Sequence, residues 1–154
     1  MADSKRHQVV DAVIAALEGI TKAKGYKTDI GMVSDRWQSH EQIPKKDLPA
    51  AFPIDIDEKR SPVVMPTDDN LDIEAALELL VSVVVYDKND DTRQQRTDLM
   101  RDIEKAILNN DALDALILYI EPTGVVTDRG TVPNFSIWDQ WYVITYRYNS
   151  AVGG

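Results

Sequence analysis

The stretch LDIEAALELLVSVVVY, residues 71–86, decides the fold. Its odd positions are Leu71, Ile73, Ala75, Leu77, Leu79, Val81, Val83 and Val85, and every one is apolar. The even positions, Asp72, Glu74, Ala76, Glu78, Leu80, Ser82, Val84 and Tyr86, start acidic and turn apolar from Leu80. Side chains of a strand alternate between two faces, so this period of two predicts one long strand, ~50 Å at ~3.3 Å per residue. A helix would scatter the same residues around its circumference. The odd face is expected to be core, and the second half of the even face to be covered as well. Ala75-Ala76 also allows a bend or a short helical turn, because Ala favours helix over strand.

Residues 134–148 carry a second strand signal, dense in aromatic and β-branched types: Phe135, Ile137, Trp138, Trp141, Tyr142, Val143, Ile144, Tyr146 and Tyr148. This strand is expected to lie antiparallel to 71–86. Two helices complete the layer. In residues 4–21, Val9, Val13, Ile14, Leu17 and Ile20 recur at spacings of three and four, with Asp3 or Ser4 as N-cap and Gly25 in a left-handed position beyond the C-terminal end. In residues 92–109, Leu99, Met100, Ile103, Ala106 and Ile107 form the stripe, with Asp91 and Gln94 as a capping-box-like start. Residues 26–33 alternate and predict a strand. Residues 35–70 hold five of the seven prolines and predict a long irregular loop, with a short strand near 51–57 inside it. Residues 113–121 end in a short strand, Pro122-Thr123-Gly124 makes a turn, residues 125–129 add another short strand, and 149–154 form a frayed tail. The expectation is a single α+β domain over residues 1–154: an antiparallel or mixed sheet, two helices packed on one face, and a long proline-rich loop.

At 44% hydrophobic and 28% charged residues, the chain is globular rather than disordered. It has no cysteine, which excludes disulfides and thiol chemistry. No apolar run approaches the ~20 residues that span a bilayer, and MADSKRHQVVDAV does not look like a signal peptide. Folding in the cytoplasm is expected. A net charge of −9 argues against gripping nucleic acid by phosphate neutralisation.

Chemical motifs are sparse. Asp87-x-Asn89-x-Asp91 opens like a calcium loop, but Thr92 stands where glycine is needed and Asp98 where glutamate is expected. His7 and His40 are far apart in sequence, and Ser39-His40-Glu41 are sequence neighbours, unlike a triad assembled in space. Asp55, Asp57, Glu58, Asp68 and Asp69 flank the loop and are the set a divalent cation or acid–base pair would use. No catalytic, cofactor or metal residue is assigned. Arg36-Trp37 joins two residue types enriched at interface hot spots, with core packing of Trp37 as the alternative. Trp138 and Trp141 have opposite strand parity and face opposite sides. With Leu80, Val84 and Tyr86 they leave more apolar sheet than two helices cover, so oligomerisation is expected. The candidate interface residues are Arg36, Trp37, Leu80, Val84, Trp138 and Trp141.

The order of segments resembles the tail terminator and minor tail (neck) proteins of tailed bacteriophages. The resembling pieces are KGYKTDIG (24–31), DRW (35–37), DLPAAFPID (47–55), LDIEAALELLVSVVVYD (71–87), TRQQRTDLMRDIEKAIL (92–108) and WDQWYVITYRYN (138–149). The resemblance implies a non-enzymatic virion protein, assembled in the host cytoplasm, that forms a ring, commonly a hexamer. Such a ring caps the tail tube, meets the head–tail connector, and lets DNA pass through its lumen without specific binding. The long strand and its partner would line or join the ring. The alternatives are another neck, head-closure or tail-completion subunit, a small α+β module that binds a ligand or peptide, and a hydrolase that uses the loop acids.

Overall fold

The computed structural model describes residues 4–63 and 71–151. Asp3, Asp68, Asp69 and the last three residues of the expected tail lie outside them. The strand expected at 71–86 forms as β3, Asp72–Tyr86, unbroken at Ala75-Ala76. It pairs along its whole length with β5, Phe135–Asn149, in antiparallel register. The two alanines do not bend the strand because bulk is supplied across the ladder: Ala75 pairs with Tyr146 and Ala76 with Thr145.

On its other side β3 pairs antiparallel with β2, Ala50–Pro62. The short strand expected near 51–57 lies within it, but the irregular loop expected across 35–70 is confined, among the described residues up to Val63, to the stretch before Ala50. The proline that obscured this strand costs it little. The carbonyls of Pro49 and Ala51 accept from Gly31, Met32 and Ser34, toward β1, Met32–Val33. Alternation then turns the Pro53 nitrogen, which has no hydrogen to donate, to that same outer edge, where no ladder bond is lost. A bulge between Asp55 and Glu58 shifts the register and breaks the sequence alternation. The strand expected at 26–33 shrinks to β1, parallel to β2, because the preceding backbone is held elsewhere, as described below.

β4, Tyr119–Thr127, closes the far edge against β5. The expected turn at Pro122-Thr123-Gly124 is instead a bulge inside one continuous strand. The sheet order is β1-β2-β3-β5-β4, mixed because of the single parallel β1–β2 pair.

Helices α1, Lys5–Glu18, and α2, Arg93–Leu108, lie on the odd face of β3, joined by a single turn, α3, Asp111–Asp114. Val9, Val13, Leu17, Leu99, Ile103 and Ile107 meet Leu77, Leu79, Val81 and Val83 in one core, all fully buried. Ser4 caps α1 by accepting from the His7 amide. Gly25 takes φ +92° as expected, but after a 3₁₀ turn at Lys22–Lys24 rather than directly after α1. The expected capping box at Asp91 does not form: Thr92 is the N-cap and its side chain makes no capping bond. Asp91 lies outside the helix and donates its amide to the Asp87 carboxylate at 3.2 Å.

One charge sits in the apolar stripe of α2. Asp102 is 5% exposed and accepts from the amides of Lys27, at 3.1 Å, and Thr28, at 2.9 Å, and from the Thr28 hydroxyl. This carboxylate holds residues 26–28 off the sheet edge, which is why β1 is short. Removing it leaves buried amide donors unpaired. Asp102→Ala is therefore expected to destabilise the fold by about 1–3 kcal/mol, and Leu79→Ala by about 2–5 kcal/mol through its cavity. Urea unfolding midpoints measure both, and wild-type midpoints would contradict this packing.

Candidate functional site

The even face of β3 has two fates. At its Tyr86 end the loop 34–49 folds back over the sheet. Ile43, Ala50, Phe52 and Val84 form a second buried cluster, with Met32, Leu48, Ile54, Phe135 and Ile137 packed on it. His40 stacks on Phe135 at 4.9 Å, and Lys45 bonds the Tyr86 hydroxyl at 3.1 Å. The loop closes at Gly31, where a Cβ would lie 2.6 Å from the Asp47 carbonyl oxygen. Beyond this flap no described element packs over the face. The register places Gly124, Trp141, Leu80 and Ile54 on one line across four strands. Leu80, Trp141 and Ile54 are half-buried, and Val126, further along β4 on the same face, is 61% exposed. Three acids rim the line. Glu78 and Glu121 pair with Val143 from either side, and Asp139 lies between Ser82 and Val126. None of the three forms an ion pair with a described residue.

The six interface candidates therefore separate. Leu80 and Trp141 lie together on the open face. Arg36 is exposed and Trp37 is 58% exposed, near the start of the flap, so Trp37 is not core. Val84 and Trp138 are corrections: the chain buries both itself. Val84 is 2% exposed beneath the flap. Trp138 is 1% exposed on the helix side, where its indole N–H donates to Gln140 Oε1 at 2.9 Å.

Among the described residues no group of three or more His, Asp or Glu is placed to hold a metal ion. In the Asp87–Asp91 turn the carboxylates accept from backbone: Asp87 from Asn89 and Asp91, Asp90 from Asn134. Asp55 lies 2.7 Å from Arg6. Glu58 pairs with Arg60 and accepts from the Tyr146 hydroxyl, its own side chain almost wholly buried. His7 pairs with Asp11 at 3.1 Å. A groove of about 410 Å³ runs between α2 and β4, lined by Met100, Arg101, Glu104, Thr123, Val125 and Gln140 among others. No helix among the described residues is long and apolar enough to cross a membrane.

No protein-family model matches this sequence, and neither does any curated protein. The resemblance to tail terminators thus rests on the quoted segments alone.

Sequence reasoning missed Ile54 at the flap's border, Val126 on the open face and the pair Glu58–Tyr146. The bulge at Asp55/Glu58 hid Glu58 and that at Pro122/Gly124 hid Val126, since each shifts parity by a residue. Asp102 had a signal: a charge between Leu99 and Ile103, inside an apolar stripe.

Trp37→Ala is expected to leave the unfolding midpoint of the protomer unchanged, whereas Trp138→Ala lowers stability by about 3–5 kcal/mol; denaturant unfolding in dilute protein compares them. A pH effect also follows. Burial pushes the Tyr142 phenol above its ordinary value of about 10, against the opposing bond from Gln140. Burial and its bond to Glu58 do the same to Tyr146. A raised folded-state value keeps the proton in the native protein while the unfolded chain loses it. The stabilisation is complete below pH about 10 and is lost as pH rises above it. Tyr142→Phe should make the alkaline fall in urea midpoint shallower, with Tyr146 sustaining the remainder. An identical pH profile would contradict the assignment.

Proposed function

We propose that this protein is a structural virion subunit: a tail terminator whose copies form a ring, cap the phage tail tube and meet the head–tail connector. The observation that carries the reading is the open half of the sheet. Among the described residues a loop folds over one half of the even face and leaves Leu80, Trp141 and Val126 on the other, with Ile54 at the border between them. Uncovered apolar sheet of this kind marks association surfaces. The segment order resembles that of tail terminators, whose role is assembly rather than catalysis. The acidic balance fits a conduit wall that does not retain DNA. A head-closure or tail-completion subunit would use the same surface and differs only in its axial partners.

Light scattering over a concentration series, with negative-stain images, tests the reading. Rings of about six subunits are expected, since a repeated head-to-tail contact whose rotation closes gives a cyclic assembly, and these should bind the ends of purified tail tubes. A protein that stays monomeric at every concentration and leaves tube ends bare would overturn it.

A further inference from the structure

Resting on the ring reading, we propose that the exposed pair Arg36-Trp37 of one copy seats on the Leu80–Trp141 line of a second copy, in a head-to-tail contact. Both surfaces are left incomplete by the protomer. Trp37 is 58% exposed, and the Arg36 guanidinium forms no ion pair with a described residue. The receiving line is apolar and rimmed by Glu78, Glu121 and Asp139, which also lack ion pairs with described residues. An aromatic anchor beside a cation thus meets an apolar seat ringed by acids. Tryptophan and arginine are the residue types that most often dominate such contacts, and opposite charge around the rim sets their register.

The alternative ways of joining two copies are each disfavoured. Placing two open faces against one another would set the acidic rims together, a like-charge arrangement that suppresses pairing. Adding strand to strand is opposed at both edges. β4 carries Pro122 and a bulge, and the free part of β2 carries Pro53, Pro62, a bulge and the charges Asp55, Asp57, Lys59 and Arg60. Proline, bulges and charge are the devices that blunt sheet edges. A contact between two different patches, repeated, gives a ring when its rotation closes and a filament when it does not.

The chain has no native cysteine, so single introduced thiols report the contact cleanly. Gln38→Cys, beside that exposed pair, and Val143→Cys, between Glu78 and Glu121, are mixed and oxidised. The expected product is the mixed disulfide, several-fold in excess of either homodimer. It should fall to background when the Gln38→Cys chain also carries Trp37→Ala or Arg36→Glu. Glu78→Arg in the Val143→Cys chain should restore it against Arg36→Glu, an exchange of charge that an adventitious collision would not track. No mixed product, a product indifferent to Trp37→Ala, or Val143→Cys homodimers as the main species would each overturn the proposal, the last in favour of a face-to-face pair. The ring reading fails separately, on the mass of the wild-type protein. A trapped mixed disulfide in a protein that remains monomeric supports the contact and removes the ring.

Discussion

The ladder between β3 and β5 sets everything else in place. It runs without interruption from Asp72–Asn149 to Tyr86–Phe135. Because side chains alternate with a period of two, one register puts Leu77, Leu79, Val81 and Val83 beside Ile144, Tyr142, Gln140 and Trp138 on a single face. A slip by one residue would turn all of them outward. Both helices depend on that face, and their stripes contribute nearly all of their burial. The buried polar groups obey the same register. Trp138 donates to Gln140, and Gln140 to Tyr142, so the three satisfy one another along alternate positions of β5 beneath α2.

The same register creates the opposite constraint. Every residue that completes the helix-side core has a neighbour that must point away from it. On β3 those neighbours change from acidic to apolar along the strand, and the chain treats the two ends differently. The acidic end is solvated: Glu74 meets Arg147, and Asp72 meets Asn149. The Tyr86 end is closed by the flap 34–49 over Val84 and Phe52. The middle, Leu80 with Trp141, belongs to neither, and Ile54 beside it packs on the flap cluster. Assembly of identical subunits would cover that middle section.

Period two was legible from end to end in β3 and β5, and period 3.6 in α1 and α2, because their buried stripes are mostly apolar, Asp102 and Gln140 being interruptions too few to hide the period. β2 was not legible. Its prolines and the run Asp55-Ile56-Asp57-Glu58-Lys59-Arg60 resemble a loop, and its bulge destroys the alternation. Only the direction of the Pro53 nitrogen, a property of the folded sheet, shows why a strand tolerates it. The opposite facing of Trp138 and Trp141 was legible from parity, but parity does not say which face receives the helices. Val84 was misread for a related reason. Its apolar character marked a covered surface correctly, but what covers it is a loop whose path depends on the close approach of Gly31 to Asp47, and no periodicity encodes that.

The most direct test of this division of the even face compares two substitutions on one strand, four residues apart and pointing the same way. Leu80→Asp and Val84→Asp are each followed by sedimentation at high protein concentration and by urea unfolding at low concentration. If the flap end is core and the middle is an association surface, Leu80→Asp abolishes the assembled species and keeps a near-native unfolding midpoint, while Val84→Asp lowers the midpoint sharply. Equal loss of stability in both, with no separate effect of Leu80→Asp on mass, would contradict the account.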